Sequence, residues 1–138
     1  MRLIDCYAEL LAYTGYFLKS LEKSAPEYEH ILKNYQALIN RSQHMSEAAD
    51  FSMKMWRDGF FPICSWIDES IMCSAWPGKD TWQRSQLQKT YFKTTTAGRE
   101  FYSKLERLSK EETEVQEVYE YCLALGFRGM HYNPLDNR

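Results

Sequence analysis

The sequence predicts an all-α domain, and three observations carry that prediction. Its 138 residues include only six Gly and four Pro, about 7% together where ~12% is usual, so few positions break a helix. Thirteen Leu and thirteen Glu stand against eight Val and Ile combined, a balance that favours helix over strand. Apolar residues recur at spacings of three and four along most of the chain, the period of an amphipathic helix. A chain that is 44% hydrophobic with net charge −2 can bury enough surface to fold as one domain over 1–138.

The elements follow in order. Leu3, Ile4, Tyr7, Leu10, Leu11, Phe17, Leu18 and Leu21 make one apolar face of a first helix over about 2–23. Ser24 and Glu27 have capping-box spacing with Pro26 in the first turn, which predicts a second helix starting near Ala25 and ending in the polar run 40–44. The short connection makes the two antiparallel. Ser46 is placed to cap a third helix through Phe51 and Met55. Gly59 and Pro62 then leave either a break or a kinked long helix. The segment from Phe60 to Cys73 is apolar on more than one side and reads as the central helix.

Trp76-Pro77-Gly78 is a turn, and Asp80 is placed to cap a short helix over 81–89. Thr94-Thr95-Thr96 precedes a helix that turns Phe101, Tyr102, Leu105 and Leu108 inward. The last helix runs over about 112–125, with acidic residues in its first part and Gly126 as its left-handed stop. Residues 127–138 lack helical periodicity and read as an extended tail, leaving the domain or packing back along it.

Several functions lose support. Seventeen basic against nineteen acidic residues give no overall footprint for nucleic acid. Cys6, Cys64, Cys73 and Cys122 form no C-x-x-C and sit in apolar helical stretches, so they read as small buried hydrophobes. His30, His44 and His131 share no ligand spacing, so neither a metal site nor another cofactor is expected. No apolar run is long enough to span a membrane, and no phosphate-loop, dinucleotide, zincin or nucleophile-elbow motif occurs.

Asp68-Glu69 is the notable polar pair, because it interrupts the most apolar helix. Adjacent helical residues point about 100° apart, so the two carboxylates do not converge on one atom and are weak as an acid/base pair. Buried carboxylates need partners such as helix-end N–H groups, indoles or cations. A structural hydrogen-bonding role, a partner-binding cleft and catalysis stay open. Trp66, Trp76 and Trp82 flank the Pro-Gly turn; most of this reads as core, and an exposed indole there would anchor an interface.

Four blocks stand out in order. The first is FFPICSWIDESIM at 60–72 with Ser74-Ala75-Trp76-Pro77-Gly78 and Trp82. The second is Leu87-Gln88-Lys89-Thr90-Tyr91-Phe92. The third is Thr95-Thr96-Ala97-Gly98-Arg99-Glu100-Phe101-Tyr102, followed by Leu105 to Leu108. The fourth is VYEYCLALGFRG at 118–129. These blocks, spanning about 50–132, resemble in the same order those of the DotU/IcmH family of secretion-system proteins, the second its L-Q-x-x-Y-F stretch and the fourth the block near the end of its domain. Residues 1–45 fit a two-helix start without distinctive sequence.

The resemblance implies an all-α, hook-like cytoplasmic domain of about six to eight helices in two small packed bundles. It implies a non-enzymatic scaffold in a type VI, or type IVB, membrane complex. The implied partners are an IcmF/TssM-like inner-membrane protein and baseplate proteins, with a homodimer as a further possibility. Asp68 and Glu69 map onto a family pair associated with a cleft, and with Trp76 and Trp82 they form the candidate partner-binding set. Family members usually carry a membrane helix after the domain, so this chain is expected to be the soluble portion of a longer, inner-membrane-anchored protein. Pro62 departs from the family's helix former. The alternative reading is a small cytosolic helical enzyme or adaptor using the Asp68/Glu69 region.

Overall fold

The computed structural model describes residues 1–131, and these form helices and connecting turns with no strand among them. The seven α-helices are α1 (Ala8–Ser20), α2 (Tyr28–Ala48), α3 (Met53–Met72), α4 (Lys79–Arg84), α5 (Leu87–Phe92), α6 (Ala97–Glu106) and α7 (Thr113–Ala124). Short 3₁₀ turns at Leu3–Tyr7 and Gly129–His131 flank them. The all-α expectation holds. The tail beyond His131 lies outside the described residues.

The first helix differs from its sequence reading. Its opening turns are 3₁₀, and the α-helix proper begins at Ala8. Leu10, Thr14 and Phe17 form the buried stripe. Thr14 belongs there because its hydroxyl donates to the Leu10 carbonyl at 2.8 Å. Its single proton being used, the Tyr35 hydroxyl 2.7 Å away is the donor to it.

α2 starts at Tyr28, not near Ala25, and Glu27 provides no side-chain cap, so the capping box does not form. Pro26 lies outside the helix, where its carbonyl accepts the Trp76 indole N–H at 2.8 Å. The polar run 40–44 does not end α2, which continues to Ala48 because Ile39, Ser42 and Ser46 prolong the buried stripe. It closes in a Schellman motif. The Phe51 N–H reaches the Ser46 carbonyl at 3.0 Å, the Asp50 N–H reaches Glu47 at 3.0 Å, and Asp50 takes the left-handed position at φ 62°. Ser46 is therefore inside a helix, and Ser52 caps α3 by accepting the Met55 N–H at 3.0 Å.

α3 passes through Gly59 and Pro62 without interruption, and every residue from Gly59 to Asp68 is buried. A central position explains both helix-unfriendly residues. A Cβ at Gly59 would press on the Tyr7 hydroxyl 2.5 Å away, and that hydroxyl is fixed by its 2.6 Å bond to the Trp56 carbonyl. Pro62 lacks an N–H for the Asp58 carbonyl, a loss that packing on every side of the helix outweighs. The other six α-helices all pack against α3.

The predicted helix over 81–89 is two helices. α4 follows Gly78, with Asp80 inside its first turn and not at the cap, and α5 begins after Gln86. Phe101 is fully buried on α6, whereas Tyr102, Leu105 and Leu108 are half-buried. α7 ends as expected: Gly126 has φ 99°, and the Phe127 N–H reaches back to Cys122 at 3.0 Å. Phe127 is buried against Phe101, with ring centroids 4.3 Å apart. Three cysteines are buried as expected, but Cys73, at the end of α3, is exposed.

Candidate partner-binding site

Asp68 and Glu69 lie near the end of α3, and each carboxylate fastens a different segment to that helix. Asp68 is 2% exposed. Its Oδ1 accepts the Trp82 indole N–H and the Leu87 backbone N–H, both at 2.9 Å, and its Oδ2 accepts the Gln88 N–H at 2.9 Å. First-turn N–H groups have no partner within their own helix. Gln86, the residue before α5, offers no side-chain cap, so Asp68 supplies it from another helix. Burial pushes the Asp68 carboxyl up to about 6, while the N–H donors pull the other way.

Glu69 holds the chain after α7. Its Oε2 accepts the Arg128 N–H at 3.0 Å and its Oε1 the Gly129 N–H at 2.7 Å. Gly129 is left-handed at φ 57°, and a Cβ there would collide with the Gly98 carbonyl oxygen at the start of α6. Gln88 completes the frame: its side-chain oxygen accepts the Ala97 N–H at 3.0 Å, tying the start of α6 to α5. Neither Gln88 nor Gly129 stands out by residue type. Both lie inside the motif blocks, and that was the available signal.

These ties border an open groove of about 390 Å³, lined in part by Ser65, Met72, Cys73, Gln86 and Gly98. Asp68 and Glu69 both lie on it. The roughly perpendicular directions expected of helical neighbours are observed as separate partners, α4–α5 for one and the 128–129 backbone for the other.

Trp76 and Trp82 do not reach the surface. Both are 0% exposed, so the exposed-indole anchor is corrected. Trp76 meets Phe17 edge-on at 5.0 Å, and Trp82 meets Tyr35 at 5.4 Å. A large aromatic body is cheapest to bury once its N–H has an acceptor, and Pro26 and Asp68 provide those acceptors. Trp82 supports Asp68 behind the groove, and Trp76 packs against Trp82.

The other candidate chemistries do not assemble. Burial pushes the Cys64 and Cys122 thiols well up, away from nucleophilic thiolate. Among the described residues, no group of three or more His, Cys, Asp or Glu is arranged to hold a metal. Among them too, no helix is long and apolar enough to cross a membrane.

Known proteins resemble both the sequence and the fold. Residues 2–136 match the family model of the type VI secretion system protein DotU. The structure is similar to the solved cytoplasmic domain of TssL from Acinetobacter baumannii, with a TM-score of 0.83 and 26% identity over 98% of this chain and 88% of that one. No curated protein matches the sequence. A family match over nearly the whole length, carried by a fold in which Asp68 and Glu69 tie three segments to α3, leaves one conclusion: the chain belongs to the DotU family of type VI secretion system proteins.

Proposed function

We propose that this chain is a non-enzymatic docking subunit of the type VI secretion membrane complex, and that the groove beside Asp68 and Glu69 receives a partner segment. The partners are an IcmF/TssM-like inner-membrane protein and baseplate proteins. The domain works at the cytoplasmic face of the bacterial inner membrane.

One observation carries this reading. Both carboxylates already accept backbone N–H groups, from 87–88 and 128–129, and Asp68 also accepts the Trp82 indole, so three segments are held by them. Carboxylates used this way fix a surface and are poorly placed to move a substrate's proton. A groove with fixed walls and an apolar share suits recognition, because little ordering remains to be done on binding.

Binding to the purified cytoplasmic portion of the IcmF/TssM-like protein of the same secretion cluster, and separately to its baseplate proteins, tests this. Met72→Glu places a charge in the groove and leaves both carboxylates in the sequence. At least one partner is expected to bind the native domain and to bind the folded variant at least about tenfold more weakly. Equal binding by a folded Met72→Glu domain would contradict the groove as the docking site.

A further inference from the structure

A second cleft of about 560 Å³ shares no lining residue with the groove. Arg57 of α3 and Lys104 and Arg107 of α6 line it, over a floor that includes Phe61, Phe92 and Tyr119. The Arg57 guanidinium lies 4.5 Å from the Phe92 ring centroid and donates one N–H to the Tyr91 carbonyl at 2.5 Å. The Lys104 ammonium lies 4.8 Å from the Phe61 centroid. These ring contacts position the charges without neutralising them.

Among the described residues, none of the three cations makes an ion pair within 4.0 Å. The cleft's two acids do not cancel these charges: one is paired elsewhere, and the other remains a single anion against three cations. Asp58 pairs with Lys54 at 2.6 Å, and Glu112 accepts the Ser109 N–H at 3.0 Å. In a chain of net charge −2, this is a local surplus of positioned cations beside an aromatic floor. Such a surface complements carboxylates interspersed with apolar side chains, and electrostatic complementarity of this kind steers and selects partners. The cleft is open and has room for several side chains, more than one small anion needs.

We propose that this cleft docks an acidic segment of a partner protein, in which Glu or Asp side chains meet Arg57, Lys104 and Arg107 while neighbouring apolar side chains rest on Phe61 and Phe92. The proposal stands on the cleft's own residues, whatever the groove beside Asp68 binds.

Fluorescence anisotropy of a labelled peptide of about twelve residues, alternating Glu with Leu or Phe, tests it at low and near-physiological salt. Saturable binding is expected, weakened at least about tenfold by Lys104→Glu or Arg107→Glu and unchanged by Lys33→Glu on α2. Inorganic phosphate at millimolar concentration is expected to leave most of the peptide bound. Should Lys104→Glu fail to fold, Arg107→Gln at an exposed position reads the same site. Three results would overturn the proposal: no saturable binding, an equal loss with Lys33→Glu, or complete displacement by phosphate, which would mark a small-anion site. None of them bears on Met72→Glu and the groove, so the two proposals fail separately.

Discussion

The Trp82 indole N–H donates to Oδ1 of Asp68 across 2.9 Å, joining two buried residues 14 positions apart. The same oxygen accepts the Leu87 N–H. One atom therefore positions α4 and starts α5. A polar pair that interrupts the most apolar helix in the sequence acts as a joint in the fold. Its neighbour Glu69 repeats the device for Arg128 and Gly129.

Asp68→Ala removes the acceptor for three buried donors. Each buried donor left without a partner costs about 1–3 kcal/mol, so a loss of at least about 3 kcal/mol is expected in urea unfolding. Asp68→Asn keeps one acceptor oxygen and is expected to fall between Ala and the native residue. A loss under about 1 kcal/mol for Asp68→Ala would show that water or local rearrangement satisfies those donors.

The same residue predicts a pH dependence. Its carboxyl is raised from 3.8 to about 6 in the folded state. The folded protein therefore holds a proton that the unfolded chain has released between those values. The Asp68 contribution to stability is full below about pH 4 and is lost as pH rises through about 6, by roughly 3 kcal/mol. Exposed carboxylates cancel when the native stability is compared with that of Asp68→Asn. The native-minus-variant difference should shrink from pH 4 to pH 7; a constant or growing difference would contradict the burial cost.

Ser46 is the counter-case. Its hydroxyl is buried with no hydrogen-bond partner among the described residues, and it lies within α2. Ser46→Ala removes an unpaired polar group and improves helix propensity, so thermal and urea unfolding should show a gain of up to about 1 kcal/mol. A clear loss of stability would mean that the hydroxyl has a partner.

Gly129→Ala should destabilise. The position is left-handed, and its Cβ would strike the Gly98 carbonyl and lie 2.9 Å from the Phe127 ring. Strain of this kind costs about 1–3 kcal/mol. Urea unfolding checks the size, and the partner-binding assay should show a parallel loss if the 127–129 wall shapes the groove. An unchanged midpoint would indicate that the turn shifts freely.

Local signals in the sequence match the structure where local physics decides. Gly126 ends α7 in the left-handed conformation that its position at the end of an apolar repeat predicts. The unbroken apolar run after Phe60 marks α3 as central, as observed. The failures lie where distant residues decide. Ser24 and Glu27 have capping-box spacing, yet Pro26 is drawn out of the helix with its carbonyl on Trp76, 50 residues away. Ser46 looks like a cap, but α2 runs on because its buried stripe continues. Asp68's need for partners was legible from burial alone, whereas Leu87 and Gln88 as those partners, 19 and 20 residues on, were not. The basic cleft left no motif either, since Arg57 and Lys104 meet only through packing of α3 against α6.

The central claim is that Asp68 and Glu69 hold the walls of the groove independently of one another. Amide hydrogen exchange of the native domain, Asp68→Asn and Glu69→Gln tests it most directly. The account predicts faster exchange at Leu87 and Gln88 in the first variant and at Arg128 and Gly129 in the second, each leaving the other pair protected. Native-like exchange at all four amides in both variants would contradict it.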